Sequence, residues 1–149
     1  NSSAASDVYK RQMKNRSERI ELEIEPMEAK VIGDVNQLRF LLENLIDEAL
    51  TVREDGVIRL QARKDNEYIR FLFTDTRREK SVEELNQLFY PNLARMTSGE
   101  KGELRGTEYL VCKQIIRDHD EFAGRRGCRI NAEPAEGGGF TVYFTIPRR

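Results

Sequence analysis

The chain has no tryptophan, one histidine, two cysteines and four prolines in 149 residues. Each scarcity removes a class of function. A single imidazole, His119, with scattered acids argues against a dedicated zinc site, which draws on clustered His and Cys ligands. Cys112 and Cys128 are not in CxxC spacing, and they read as buried free thiols rather than a bridge. No apolar run approaches the roughly 20 residues that cross a bilayer, and no apolar core of a signal peptide stands near the start. A net charge of -1 gives no electrostatic case for nucleic acid or an anionic membrane.

What is present is a surface rich in charge around an ordinary core. Charged residues make up 34% and hydrophobic residues 38%, the balance of one globular domain. Residues 1–12, "NSSAASDVYKRQ", lack an initiator Met and any apolar period. Residues 1–16 are therefore set apart as a non-native leader or disordered linker, with the domain over 17–149 and the chain read as a fragment of something longer.

Periodicity supplies the elements. "RIELEIEP" alternates Ile20, Leu22 and Ile24 with charge and predicts a half-buried strand, and a short "AKVIGD" strand follows. Asp34, with Gln37 three residues on, predicts a capping box opening a helix with Val35, Leu38, Leu41, Leu42, Leu45, Ile46 and Ala49 on one face. Asp55-Gly56 supplies a turn. "VIRLQARKDNEYIRFLFTD" predicts a hairpin joined at Asp65-Asn66, with Val57, Ile58, Leu60, Ile69, Phe71 and Phe73 supplying core. Ser81 and Glu84 form a second capping box. Residues 91–106 have no period and read as a long functional or mobile loop. "TEYLVCKQIIRDHD" predicts a last helix, and the chain closes as a hairpin whose second strand alternates Phe140, Val142, Phe144 and Ile146. The order β-β-α-β-β-α-loop-α-β-β lacks regular βαβ alternation, so the fold class is α+β, a two-layer α/β sandwich with a mixed sheet covered on one face by helices.

Three segments in register, "GDVNQLRFLLENLIDEAL", "FLFTDTRREKSVEELNQLFYP" and "RGTEYLVCKQIIRDHD" with its closing hairpin, resemble the catalytic ATP-binding domain of sensor histidine kinases. That domain belongs to the superfamily shared with gyrase, the heat-shock chaperone ATPase and MutL. The resemblance covers Ile20 to Pro147 and implies ATP and Mg²⁺ as cofactors. It implies the dimerisation and phosphoacceptor helices of a parent kinase and a response regulator as partners, and a cytoplasmic location, with neither nucleic acid nor membrane insertion.

The same resemblance assigns positions. In the family's asparagine box, N-L-x-x-N-A, Asn44 matches the first Asn and Ala49 the Ala, while Glu48 stands where the metal-holding Asn belongs. Asn44 and Glu48, one turn apart, share a face of the helix. In the first glycine box, D-x-G-x-G, Asp75 matches the residue that accepts from the adenine amino group, but Arg77 and Glu79 replace glycines. In the second, G-x-G-L, Gly106 is kept and Glu108 replaces the second glycine, an acid where a phosphate should sit.

The expected function is thus a degenerate, pseudo-ATPase signalling domain with weak or lost ATP binding. The alternatives are an active kinase domain with Glu48 as metal ligand and Asp75 on adenine, phosphorylating a His on a separate module, and a stand-alone kinase or anti-sigma-like regulator. Arg77 and Arg78, facing the old pocket, suggest a self-filled site, with Glu108 in the phosphate's place and arginine in the cation's; otherwise both point to solvent. Glu43, Asp47 and Glu48 also read as a plain solvated face with an Arg39–Glu43 pair. His119 reads as structural or surface rather than as a phosphoacceptor, and Arg125 and Arg126 as a solvated turn.

Overall fold

The computed structural model describes residues 7–11, 20–24, 30–91, 97–98, 104–105 and 108–149. In chain order the elements are a helical turn α1 (7–11), β1 (Ile20–Ile24), α2 (Val35–Ala49), β2 (Gly56–Asp65), β3 (Tyr68–Asp75), α3 (Val82–Gln87), β4 (Thr97–Ser98), β5 (Leu104–Arg105), α4 (Glu108–Phe122), β6 (Ile130–Pro134) and β7 (Phe140–Pro147). The main sheet runs β1-β2-β3-β7-β6. β1 pairs with β2 in parallel and the other neighbours are antiparallel, so the sheet is mixed.

Alternation decides which side chains meet the helices. Ile58, Leu60, Phe73, Phe140, Val142, Phe144 and Ile146 are buried, and they pack beneath Leu41, Leu45 and Ile46 of α2 and Cys112, Ile115 and Ile116 of α4. Phe71 and Phe144 stack at 5.0 Å across the β3/β7 register. Val57, one residue out of phase with Ile58, is only half-buried. Val35 departs from the expected apolar face of α2 and is 69% exposed, because it stands at the first turn beyond the sheet.

The hairpin turns at Asn66, whose φ of 54° is the left-handed conformation that Asn tolerates. Ser81 and Glu84 complete their capping box. At Asp34 only half of the box forms. Its carboxylate accepts from the Gln37 N–H at 2.9 Å, but its own N–H donates to His119 Nε2 at 3.0 Å. His119 Nδ1 in turn donates to the Ile115 carbonyl at 2.8 Å. The sole histidine is a buried strut tying α4 to the start of α2, in keeping with its structural reading. His119→Ala leaves the Asp34 N–H without its acceptor and opens a cavity. We expect a loss of about 2–3 kcal/mol in urea unfolding with secondary structure kept.

Three expectations change. Residues 30–34 form no strand: Val31 makes an isolated bridge to Arg148 and the Ile32 N–H donates to the Pro147 carbonyl at 2.8 Å. This short stretch meets only the end of β7 before Asp34 starts a helix. Within the expected periodless loop, β4 and β5 pair as a short hairpin. In the lead-in, α1 places Val8 in the core and Arg11 on Glu43, so Glu43 pairs with Arg11 and not with Arg39. Among the described residues no helix is long and apolar enough to cross a membrane.

Candidate functional site: an arginine-filled cleft between α2, β3 and α4

Asp75 ends β3 at the floor of the cleft and is 1% exposed. An isolated carboxylate there would be strongly disfavoured, so it must be paired. Arg77, two residues on, folds back over it. Its Nε donates to Asp75 Oδ1 at 2.9 Å and its Nη2 to Oδ2 at 2.9 Å, while its backbone N–H donates to Oδ1 at 3.0 Å. The fork is bidentate, the strongest geometry for a guanidinium and a carboxylate.

The rest of the guanidinium serves α2. That helix ends at Leu50 in right-handed geometry, without the glycine that usually turns a helix end and satisfies its last carbonyls. Arg77 supplies the missing donors: Nη2 to the Ala49 carbonyl, and Nη1 to those of Val52 at 3.1 Å and Glu54 at 3.4 Å. A cation at this helix end also suits the helix dipole. Gly56 makes room for the arginine stem, since a Cβ there would overlap Arg77 Cγ. On the other side Gly139, at φ +80°, lies so close that a Cβ would overlap the Asp75 carbonyl oxygen.

Arg78 takes the neighbouring place. Its Nη2 donates to Glu48 Oε1 at 3.4 Å, its Nε stands 3.9 Å from Asp75 Oδ2, and its guanidinium lies 5.6 Å over the Phe140 ring. Asn44 is turned into its own helix, donating to the Phe40 carbonyl at 2.7 Å. Tyr109, on the first turn of α4, is 5% exposed and edge-on to Phe89 at 5.6 Å. Burial, reinforced by the Glu48 charge, pushes its phenol well above the ordinary range.

The structure thus brings Glu48, Asp75, Arg77 and Arg78 together, while Asn44, one turn before Glu48 on α2, bonds back into its own helix. Arg78 reaches Glu48 as the self-filled reading required. Arg77 does not pair with Glu48; it takes Asp75, the shorter reach from the same turn. Gly106 lies outside the described residues, as does the side chain of Glu108. As they stand, these groups do not fit a nucleotide base or a divalent ion. A base amino group aimed at Asp75 meets the Arg77 guanidinium, and a cation at Glu48 meets Arg78. Among the described residues no group of three or more His, Cys, Asp or Glu could hold a metal. Sequence reasoning missed Gly56, read only as a turn, and Tyr109. The missing glycine after Ala49 was the available signal that α2 needed donors from elsewhere.

The sequence of residues 33–149 matches the family described as histidine kinase-, DNA gyrase B-, and HSP90-like ATPases. The chain belongs to this family. No curated protein matches it in sequence. Among solved structures it is similar to the catalytic domain of the histidine kinase ThkA, at 20% identity and a TM-score of 0.72, over 99% of this chain and 91% of that one. The mycobacterial sensor histidine kinase MprB is similar at 19% identity and 0.72, over 99% and 94%. ThkA in complex with the response regulator protein TrrA matches at 18% and 0.71, over 99% and 40%. The fold of this ATPase-family domain is that of histidine kinase catalytic domains. The family binds ATP, generally with Mg²⁺.

Proposed function

We propose that this domain is the C-terminal ATPase-like part of a bacterial sensor histidine kinase that works as a signalling module with weak or lost ATP binding. The observation that carries this reading is the buried bidentate Arg77–Asp75 pair. The carboxylate that would read adenine is committed to the chain itself, and its release would strip the Ala49, Val52 and Glu54 carbonyls of their donor. Arg78 on Glu48 supports the same reading at the metal position. Its partners would be the dimerisation and phosphoacceptor helices of the parent kinase, and a response regulator such as the one bound to ThkA, in the cytoplasm.

Thermal unfolding with and without millimolar Mg-ATP tests it. A working site at 100 times its dissociation constant adds about 2.7 kcal/mol, roughly 5–10 °C for a domain of this size. We expect no shift. A Mg-dependent shift of that size, abolished by Asp75→Asn, would establish the active-kinase alternative instead.

A further inference from the structure

A second feature lies away from the arginine-filled cleft. Between α3, α4 and the edge strand β6 the structure opens a cavity of about 530 Å³. Lys113 and Arg117 from α4 and Arg129 beside β6 stand in its wall with one acid, Asp120. That acid is tied to the chain, its Oδ1 accepting from the N–H groups of Gly127 at 3.1 Å and Cys128 at 3.2 Å. Arg117 is exposed and makes no ion pair or hydrogen bond among the described residues. Lys113 rests on the Phe89 carbonyl at 3.5 Å and 4.5 Å over the ring of Tyr90, which is itself 55% exposed at the rim. The wall carries a surplus of positive charge over an aromatic shelf.

The floor of this cavity is a sheet edge. Among the described residues β6 pairs only with β7. The Thr145 N–H donates to the Arg129 carbonyl and the Ala135 N–H to the Gly139 carbonyl, each at 3.0 Å, which brackets β6 between hydrogen-bonded pairs. In an antiparallel ladder such pairs alternate, so Asn131 and Glu133 aim their backbone groups at β7, while Ile130 and Ala132 aim theirs outward. Among the described residues the backbone groups of Ile130 and Ala132 find no other partner. Both residues line the cavity. Pro134 has no N–H, so the usable edge is short.

We propose that this cleft binds an extended acidic peptide segment of a partner protein, which adds a short strand to the Ile130–Ala132 edge. Backbone pairing supplies the docking and alternate side chains the specificity. Along an added strand, carboxylates on one side meet Lys113 and Arg117, and those on the other meet Arg129. The charge surplus sets the sign of the partner, and the open edge sets its extended form. The proposal is independent of whether the arginine-filled cleft binds nucleotide.

The test is fluorescence anisotropy with a labelled peptide of alternating glutamate and valine, at low and moderate salt. The expected result is saturable, salt-weakened binding, reduced at least tenfold by combining Lys113→Glu with Arg117→Glu. Amide exchange should slow at Ile130 and Ala132 on binding and stay unchanged at Asn131, which already faces β7. Two controls use the unaltered domain: the same peptide with lysine for glutamate, and one N-methylated at alternate residues. Equal binding of the lysine peptide would overturn the charge argument. Equal binding of the N-methylated peptide, or full competition by free glutamate, would reduce the cleft to an anion patch and overturn strand addition. Absence of saturable binding would overturn the proposal outright.

Discussion

Arg77→Ala should be the most damaging single substitution in the domain, costing about 3–5 kcal/mol. The Arg77 side chain is 0% exposed and that of Asp75 1%, so its removal leaves a buried carboxylate with no cation. It also leaves the carbonyls of Ala49, Val52 and Glu54 without the donor that caps α2. In a thermal melt this corresponds to a fall of roughly 10 °C. The buried pair itself has a modest net worth, because its desolvation cost offsets much of the attraction. Combining Asp75→Leu with Arg77→Met should therefore recover a large share of the loss. A single Arg77→Ala variant within about 1 kcal/mol of the parent would show that the guanidinium is not the pin described here.

Gly56→Ala should be the next most damaging, by about 2–3 kcal/mol, although it adds only a methyl group. That methyl would occupy the path of the Arg77 stem at Cγ, close to the backbone, where the side chain has little freedom to move. The signature is non-additivity. In the Arg77→Ala background the stem is gone, and Gly56→Ala should cost clearly less, the remainder being the strain of a side chain at φ +157°, giving a coupling energy of about 1–2 kcal/mol in a double-mutant cycle. A fully additive cycle would mean that Gly56 acts through its own backbone and not through Arg77.

These two residues mark the limit of what the sequence exposed. The helices and hairpins were legible because their signals are local: a 3–4 period on α2, alternation along β2 and β3, Asn66 at a turn, Ser81 with Glu84 at a cap. Asp75, Asn44 and Glu48 were legible as positions through their register with a family. The half-formed cap at Asp34 was not, since its second donor goes to His119, 85 residues away. The short stretch at 29–34 looked like a strand because an apolar pair in a polar run carries the same pattern whether or not a neighbouring strand is present to pair with it.

The sequence by itself determined an α+β domain and the order and faces of its main elements. For Arg77 and Arg78 it left two readings open, a carboxylate partner in the cleft or solvent. Only the tertiary structure decided which arginine takes which acid. Arg77 closes on Asp75 because one short turn places its fork there and because the end of α2 offers nearby carbonyls to its remaining N–H groups, leaving Glu48 to Arg78. Such choices depend on distances across separate elements, which no period or spacing along the chain encodes. The open edge of β6 has the same origin: a strand's sequence does not say whether it will lie inside a sheet or at its border.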